Sequence, residues 1–115
     1  MPSFANPFTG NVNRKMTKEE LIQAVRLDIA GELEAIYLYD AHVQATDDEF
    51  AKKVISDIRD EEKAHVGELM TLLRDLDPNE VVFFNKGEAE VKVMMGELQI
   101  EEDTATGSTI GNLVK

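Results

Sequence analysis

The 115-residue sequence contains no cysteine and no tryptophan. Without cysteine there are no disulfides, thiolate metal sites, iron–sulfur ligands or cysteine nucleophiles, and the chain carries no mark of its redox compartment. Proline is scarce, and none falls between Pro7 and Pro78, so the middle of the chain is free of the strongest helix breaker. Basic side chains are few: 12 lysines and arginines stand against 23 acids, a formal net charge of −11. That balance argues against a nucleic-acid partner, whose binding begins with cationic neutralisation of phosphates. No apolar run approaches the roughly 20 residues needed to span a bilayer, so no membrane partner is expected. The start, MPSFANPFTGNVNRK, lacks the basic-then-apolar order of a secretory signal, and the expected location is cytoplasmic. The length suits one domain, or part of a working unit completed by association.

The acids are unevenly placed. Residues 1–16 carry only Arg14 and Lys15, whereas residues 17–76 hold 15 acids against seven bases, which directs the search for chemistry to the middle block. The first 16 residues place Phe4, Phe8 and Val12 four apart, as an irregular arm that docks on a neighbour or as a disordered terminus.

Thr17 and Glu20 have the spacing of a capping box. Beyond them Ile22, Val25, Ile29, Glu32, Ile36, Tyr39 and Val43 recur at steps of three and four, predicting a helix over about 18–44. Thr46 and Glu49 repeat the capping-box spacing. Ala51, Val54, Ile55, Ile58, Glu62, His65, Leu69, Leu72 and Leu76 then mark a second helix over about 47–75. A short connection makes the two an antiparallel hairpin, and pairing two hairpins into a four-helix bundle covers the stripes that one leaves exposed. Asp77 and Glu80 can cap a third, short helix, with VVFF at 81–84 open to strand or helix and Gly87 and Gly96 weakening the helical pattern. The expected class is thus all-α, with an arm at 1–16, a half-bundle at 17–98 and a flexible tether at 99–115 ending in a short apolar peptide.

Most acids of the middle block fit helix starts or a solvated face. Glu32, Glu62 and His65 do not, because each takes a slot in a stripe that otherwise faces the core. An unpaired ionised carboxylate in such a slot costs several kcal/mol, so it must pair, protonate or bind metal. Glu62-Lys63-Ala64-His65 puts a carboxylate and an imidazole three residues apart on one helix face, and counting from the turn brings Glu32 to nearly the same level. Two such hairpins would supply four carboxylates and two imidazoles, the ligand set of a di-iron carboxylate bundle. Oxygen and imidazole donors suit Fe(II), Mn(II) and Zn(II). The plain alternative is a surface Glu62–His65 pair, with Glu32 paired to a base in a structural or adaptor hairpin. Tyr39, two turns beyond Glu32, can bond a ligand carboxylate or simply fill the core. Glu34 can draw cations to the mouth of the site or be a solvated glutamate, and Asp28 invites the same two readings. His42 reads as surface, and Met70, Met94 and Met95 as core fillers.

With these residues in place the chain resembles the encapsulated ferritins over nearly its whole length: an arm, a hairpin carrying Glu32 and Glu62-x-x-His65, a small third helix and an extension. The resemblance implies a ferroxidase that oxidises Fe(II) to Fe(III) with dioxygen at a di-iron centre shared by two subunits. It also implies dimers joined in a ring, usually a decamer, with iron stored inside an encapsulin nanocompartment. Glu32, Glu62 and His65 take the ligand roles, Glu34 matches an entry-site carboxylate and Tyr39 a tyrosine near the metals. Residues 107–115, GSTIGNLVK, look like the peptide that docks such cargo on the shell's inner wall, with Ile110, Leu113 and Val114 for apolar pockets. Gly31 stands where relatives often have a second acid, and Leu38 where some place a bulkier aromatic, so entry and shielding differ here. The reading kept beside it is a non-catalytic metal-binding or adaptor protein.

Overall fold

The structure, a computed structural model, describes residues 13–106. They form three helices: α1 (Lys18–Ala45), α2 (Glu49–Leu76) and α3 (Pro78–Thr106). The chain divides between Asp77 and Pro78 into two units, the α1–α2 hairpin and the segment that carries α3.

Helix α1 opens on the expected capping box. The Glu20 amide donates to Thr17 Oγ1 at 3.2 Å and the Thr17 amide donates to Glu20 Oε1 at 2.9 Å, so two amides without helical partners are satisfied reciprocally. Arg14 forks over the same carboxylate, one nitrogen lying 2.8 Å from Glu20 Oε1. The charge-assisted bond to Arg14, then the Thr17 amide, hold the Glu20 carboxyl down at about 2.

The turn differs by a residue or two from the sequence reading. Thr46, extended at φ −120° and ψ 146°, ends α1, and Asp48 rather than Thr46 caps α2, its Oδ1 accepting from the Ala51 amide at 2.9 Å. The Thr46 hydroxyl instead accepts from the Asp48 amide at 3.2 Å. An aspartate cap places a full negative charge at the positive end of the α2 dipole, which a threonine cannot do.

At the far end the Asp77 amide donates to the Leu73 carbonyl at 2.9 Å and ends α2. Pro78 disfavours helical geometry in Asp77, at φ −131° and ψ 79°, yet suits the first position of the next helix, where its missing N–H is no loss. Arg26 of α1 reaches Asp77 at 3.5 Å and ties the open end of the hairpin.

Helix α3 is 29 residues long rather than short. VVFF is helical, the helix passes both glycines, and residues 99–106 form its last turns instead of the first part of a tether. No proline follows Pro78, good helix formers separate the glycines, and i,i+4 pairs support the exposed surface: Lys92 with Glu88 at 2.9 Å and Gln99 with Asp103 at 3.1 Å. No helix among the described residues is long and apolar enough to cross a membrane. The arm at 1–12 and the peptide at 107–115 lie outside the described residues.

Only Val25, Ile29 and Leu73 are buried apolar residues among those described. All three sit toward the open end of the hairpin. Nearer the turn, Leu33, Tyr37, Phe50, Val54 and Ile58 remain exposed, and so does Leu72. Burying a side chain of this kind is worth about 1.5–3 kcal/mol, so the hairpin carries an unfinished core.

Candidate metal centre

The capping box and the three-residue turn set the two helices side by side and bring Glu32 of α1 level with Glu62 and His65 of α2. His65 Nδ1 lies 3.4 Å from Glu32 Oε2 and 3.7 Å from Glu62 Oε2. One ligand atom from each of the three residues falls within 4.8 Å of the others. Metal bonds of about 2.0–2.2 Å set neighbouring donors about 3–4 Å apart, so the two imidazole–carboxylate separations already match a shared cation.

The burial pattern points the same way. The Glu32 and Glu62 side chains are 25% and 18% exposed, whereas His65 is 48% exposed. Glu32 Oε2 is buried and accepts no hydrogen bond among the described residues. A carboxylate oxygen shielded from water and left without a donor is destabilised, and a divalent cation is one group that could supply the missing partner. Two carboxylates with one imidazole are a donor set that Fe(II) accepts.

His65 also shares its face of α2 with Phe50, Val54, Ile58 and Leu72, at steps of four and seven residues. Every member of that stripe is more than one-third exposed. The imidazole therefore sits on an uncovered face where these apolar residues are joined by the exposed Glu61 and Glu68, and covering that face would enclose the candidate metal ligands.

Beside the triad, Arg59 crosses the hairpin. Its Nη1 donates to Asp40 Oδ1 of α1 at 2.8 Å and its Nε to Asp60 Oδ1 at 3.1 Å, while Gln44 Nε2 donates to the other Asp40 oxygen at 2.7 Å. The two carboxylates raise the Arg59 pKa, and Arg59 followed by Lys63 lowers that of Asp60. Sequence reading missed this bridge because the residues are not level. Asp40 and Arg59 meet because helical side chains lean toward their own N-termini, Arg59 toward the turn and Asp40 away from it.

The remaining candidates stand apart from the triad. Glu34 is partly exposed on α1, two residues from Glu32 and outside the group of converging ligand atoms. Tyr39 is half-buried two turns along α1, Asp28 is exposed, and His42 is exposed in the last turn of that helix.

The sequence pattern of the EncFtn-like family matches residues 11–86. The chain belongs to the EncFtn-like family. It is 45% identical over 91 residues to a ferritin-like–encapsulin shell fusion protein of Pyrococcus furiosus, a span covering 79% of this chain and 26% of the fusion protein. It is also 47% identical over 75 residues to the encapsulin nanocompartment cargo protein EncC of Myxococcus xanthus, covering 65% of this chain and 58% of that one. The chain thus spans about a quarter and somewhat over half of these two relatives. Its structure is similar to the crystal structure of the encapsulated ferritin domain from Pyrococcus furiosus, with a TM-score of 0.71 at 45% identity, covering 79% of this chain and 93% of that one. The EncFtn-like match takes in the whole hairpin and all three converging residues, and ends inside α3.

Proposed function

We propose that this EncFtn-like protein is a ferroxidase whose active site forms when two hairpins pair. The observation that carries the reading is the convergence of Glu32, Glu62 and His65 around one point, with a buried Glu32 oxygen that lacks a hydrogen-bond donor. One chain supplies three ligands, too few to hold two metals, and leaves His65 in an open apolar strip. A second copy laid on that strip as a four-helix bundle brings the total to four carboxylates and two imidazoles.

The substrate is Fe(II). Each iron gives up one electron and becomes Fe(III), and dioxygen takes the electrons up. The protein's part is to hold and to shield. Glu32 and Glu62 supply negative charge that favours the ferric state, and His65 fixes the position of each iron through one ring nitrogen. The strip of Phe50, Val54 and Ile58, covered by the partner, keeps water from the carboxylates. Glu34, on the same helix and partly exposed, is suited to drawing cations toward the centre, and Tyr39 to bonding a ligand carboxylate. The EncC relative is a nanocompartment cargo protein, and the natural extension is that this chain assembles further, as a ring such as a decamer. It would then dock within an encapsulin shell through residues 107–115, handing Fe(III) to the interior for storage.

Replacing Glu32, Glu62 or His65 singly by alanine is expected to lower Fe(II)-dependent oxygen consumption at least tenfold while far-ultraviolet circular dichroism stays helical. Unchanged turnover in all three variants would remove the triad from the reaction.

A further inference from the structure

We infer that Arg59, bridged to Asp40, is a positioning residue for the metal ligands, and that it sets the rotation of α2 that points Glu62 and His65 at Glu32. The inference rests on the metal-binding reading of the triad and adds a residue to it.

Two cross-hairpin bridges flank the triad, Arg26–Asp77 toward the open end and Arg59–Asp40 toward the turn. They are unequal. The first spans 3.5 Å, whereas the second is a 2.8 Å charge-assisted bond whose arginine side chain is only 20% exposed. Arg59 is also held at a second nitrogen by Asp60, and Asp40 at its second oxygen by Gln44, so neither partner is free to swing. A guanidinium fixed at two nitrogens is a directional clamp in a way that an ammonium is not.

Among the described residues, the clamp lies where apolar packing is thinnest. Val25, Ile29 and Leu73, the buried apolar residues, lie at the other end of the hairpin. Around the turn, Phe50, Val54 and Ile58 are exposed and Ile36, Val43 and Ile55 are only half-buried, so apolar packing holds the angle of α2 against α1 less firmly there than at the open end. The short connection limits sliding of one helix along the other but does not by itself set the rotation of α2 about its own axis. Arg59 precedes Glu62 by three residues, so the two lie within one turn of helix and rotate together. Rolling α2 moves Glu62 and His65 tangentially by several ångströms, enough to break a group whose atoms converge within 4.8 Å. A bond from Arg59 to the neighbouring helix prevents that roll. Its carboxylate partners leave the arginine no part in the ligand set, so its effect on the metal passes through geometry.

The test is anaerobic titration with Co(II), followed by its visible ligand-field absorption, which reports donor geometry directly, with thermal melting measured in parallel. Arg59→Gln is expected to weaken Co(II) binding roughly tenfold or more and to alter the absorption envelope, in line with the cost of losing a residue that orients ligands. Arg59→Lys, which keeps the charge but not the fork, is expected to recover only part of the affinity. The exchange of both partners, Arg59→Asp with Asp40→Arg, restores an ion pair across the hairpin and is expected to recover the spectrum within the bounds of Arg59→Lys or better. If Arg59→Gln loses helix content, Asp40→Asn removes the same bridge with less disturbance and is read in its place, with the same loss expected. Unchanged affinity and spectrum in the bridge variants, with Glu62→Gln abolishing binding, overturns the positioning role and leaves the site standing. Failure of the unaltered protein to bind Co(II) or Fe(II) overturns both.

Discussion

A buried carboxylate oxygen without a donor has three outlets: a proton, a cationic neighbour or a metal. Glu32 faces His65 and lies in a group with Glu62, a like charge, so its surroundings favour the third. Sites kept for function in this way carry a cost in the empty protein. Glu32→Gln removes one of two converging charges and puts an amide donor beside Glu62. In chelator-treated protein at pH 8 it is expected to raise the melting temperature by a few degrees, the size of a gain of about 1 kcal/mol. Anaerobic Fe(II) is expected to raise the melting temperature of the unaltered protein, by binding only its folded state, and to leave this variant's where it was. A lower melting temperature in the metal-free variant would mean that Glu32 stabilises the fold rather than burdening it. The triad itself was legible in the sequence, because charged residues in an apolar stripe break the pattern of their own helix. The Arg59–Asp40 bridge was not, because both residues look like solvated surface until the lean of the side chains brings them together.

Among the elements, α1 depends on its first turn. Glu20 is depressed from the ordinary 4.5 to about 2, chiefly by Arg14. Since the folded-state value is the lower one, the stabilisation it gives is present in full above pH 4.5, shrinks as the pH falls from there toward 2, and is lost below that. Glu20→Gln is therefore expected to melt below the unaltered protein at pH 6, with the gap closing steadily between pH 4.5 and 2. Melting curves at half-unit pH steps check this, and a gap independent of pH would mean that the cap and not the charge matters. Both hairpin helices could be read within a residue or two from periodicity and proline spacing. The exact cap of α2 could not, since Thr46 and Asp48 both carry capping side chains and only the dipole favours the aspartate. The length of α3 was underestimated because Gly87 and Gly96 each lower helix propensity by about 1 kcal/mol, a local cost that the surrounding residues and i,i+4 pairs outweigh.

For the whole molecule, the unfinished core and the unfinished ligand set coincide. The face of Phe50, Val54, Ile58 and Leu72 contains His65, so a contact that buried this apolar surface would also close the candidate metal centre. Charge works against that contact when metal is absent, because two chains of formal charge −11 would bring four carboxylates together. On the proposed function, metal reverses the balance locally, which would couple association to binding. Ile58→Asp places another negative charge in the strip without replacing a ligand. The decisive measurement is anaerobic Fe(II) titration of the unaltered protein and of Ile58→Asp, with bound iron and molecular mass determined on the same samples. The account predicts saturation at two irons per pair of chains in a species no smaller than a dimer, and a monomeric Ile58→Asp with at least tenfold weaker binding. Full-affinity iron binding by a monomer would contradict it.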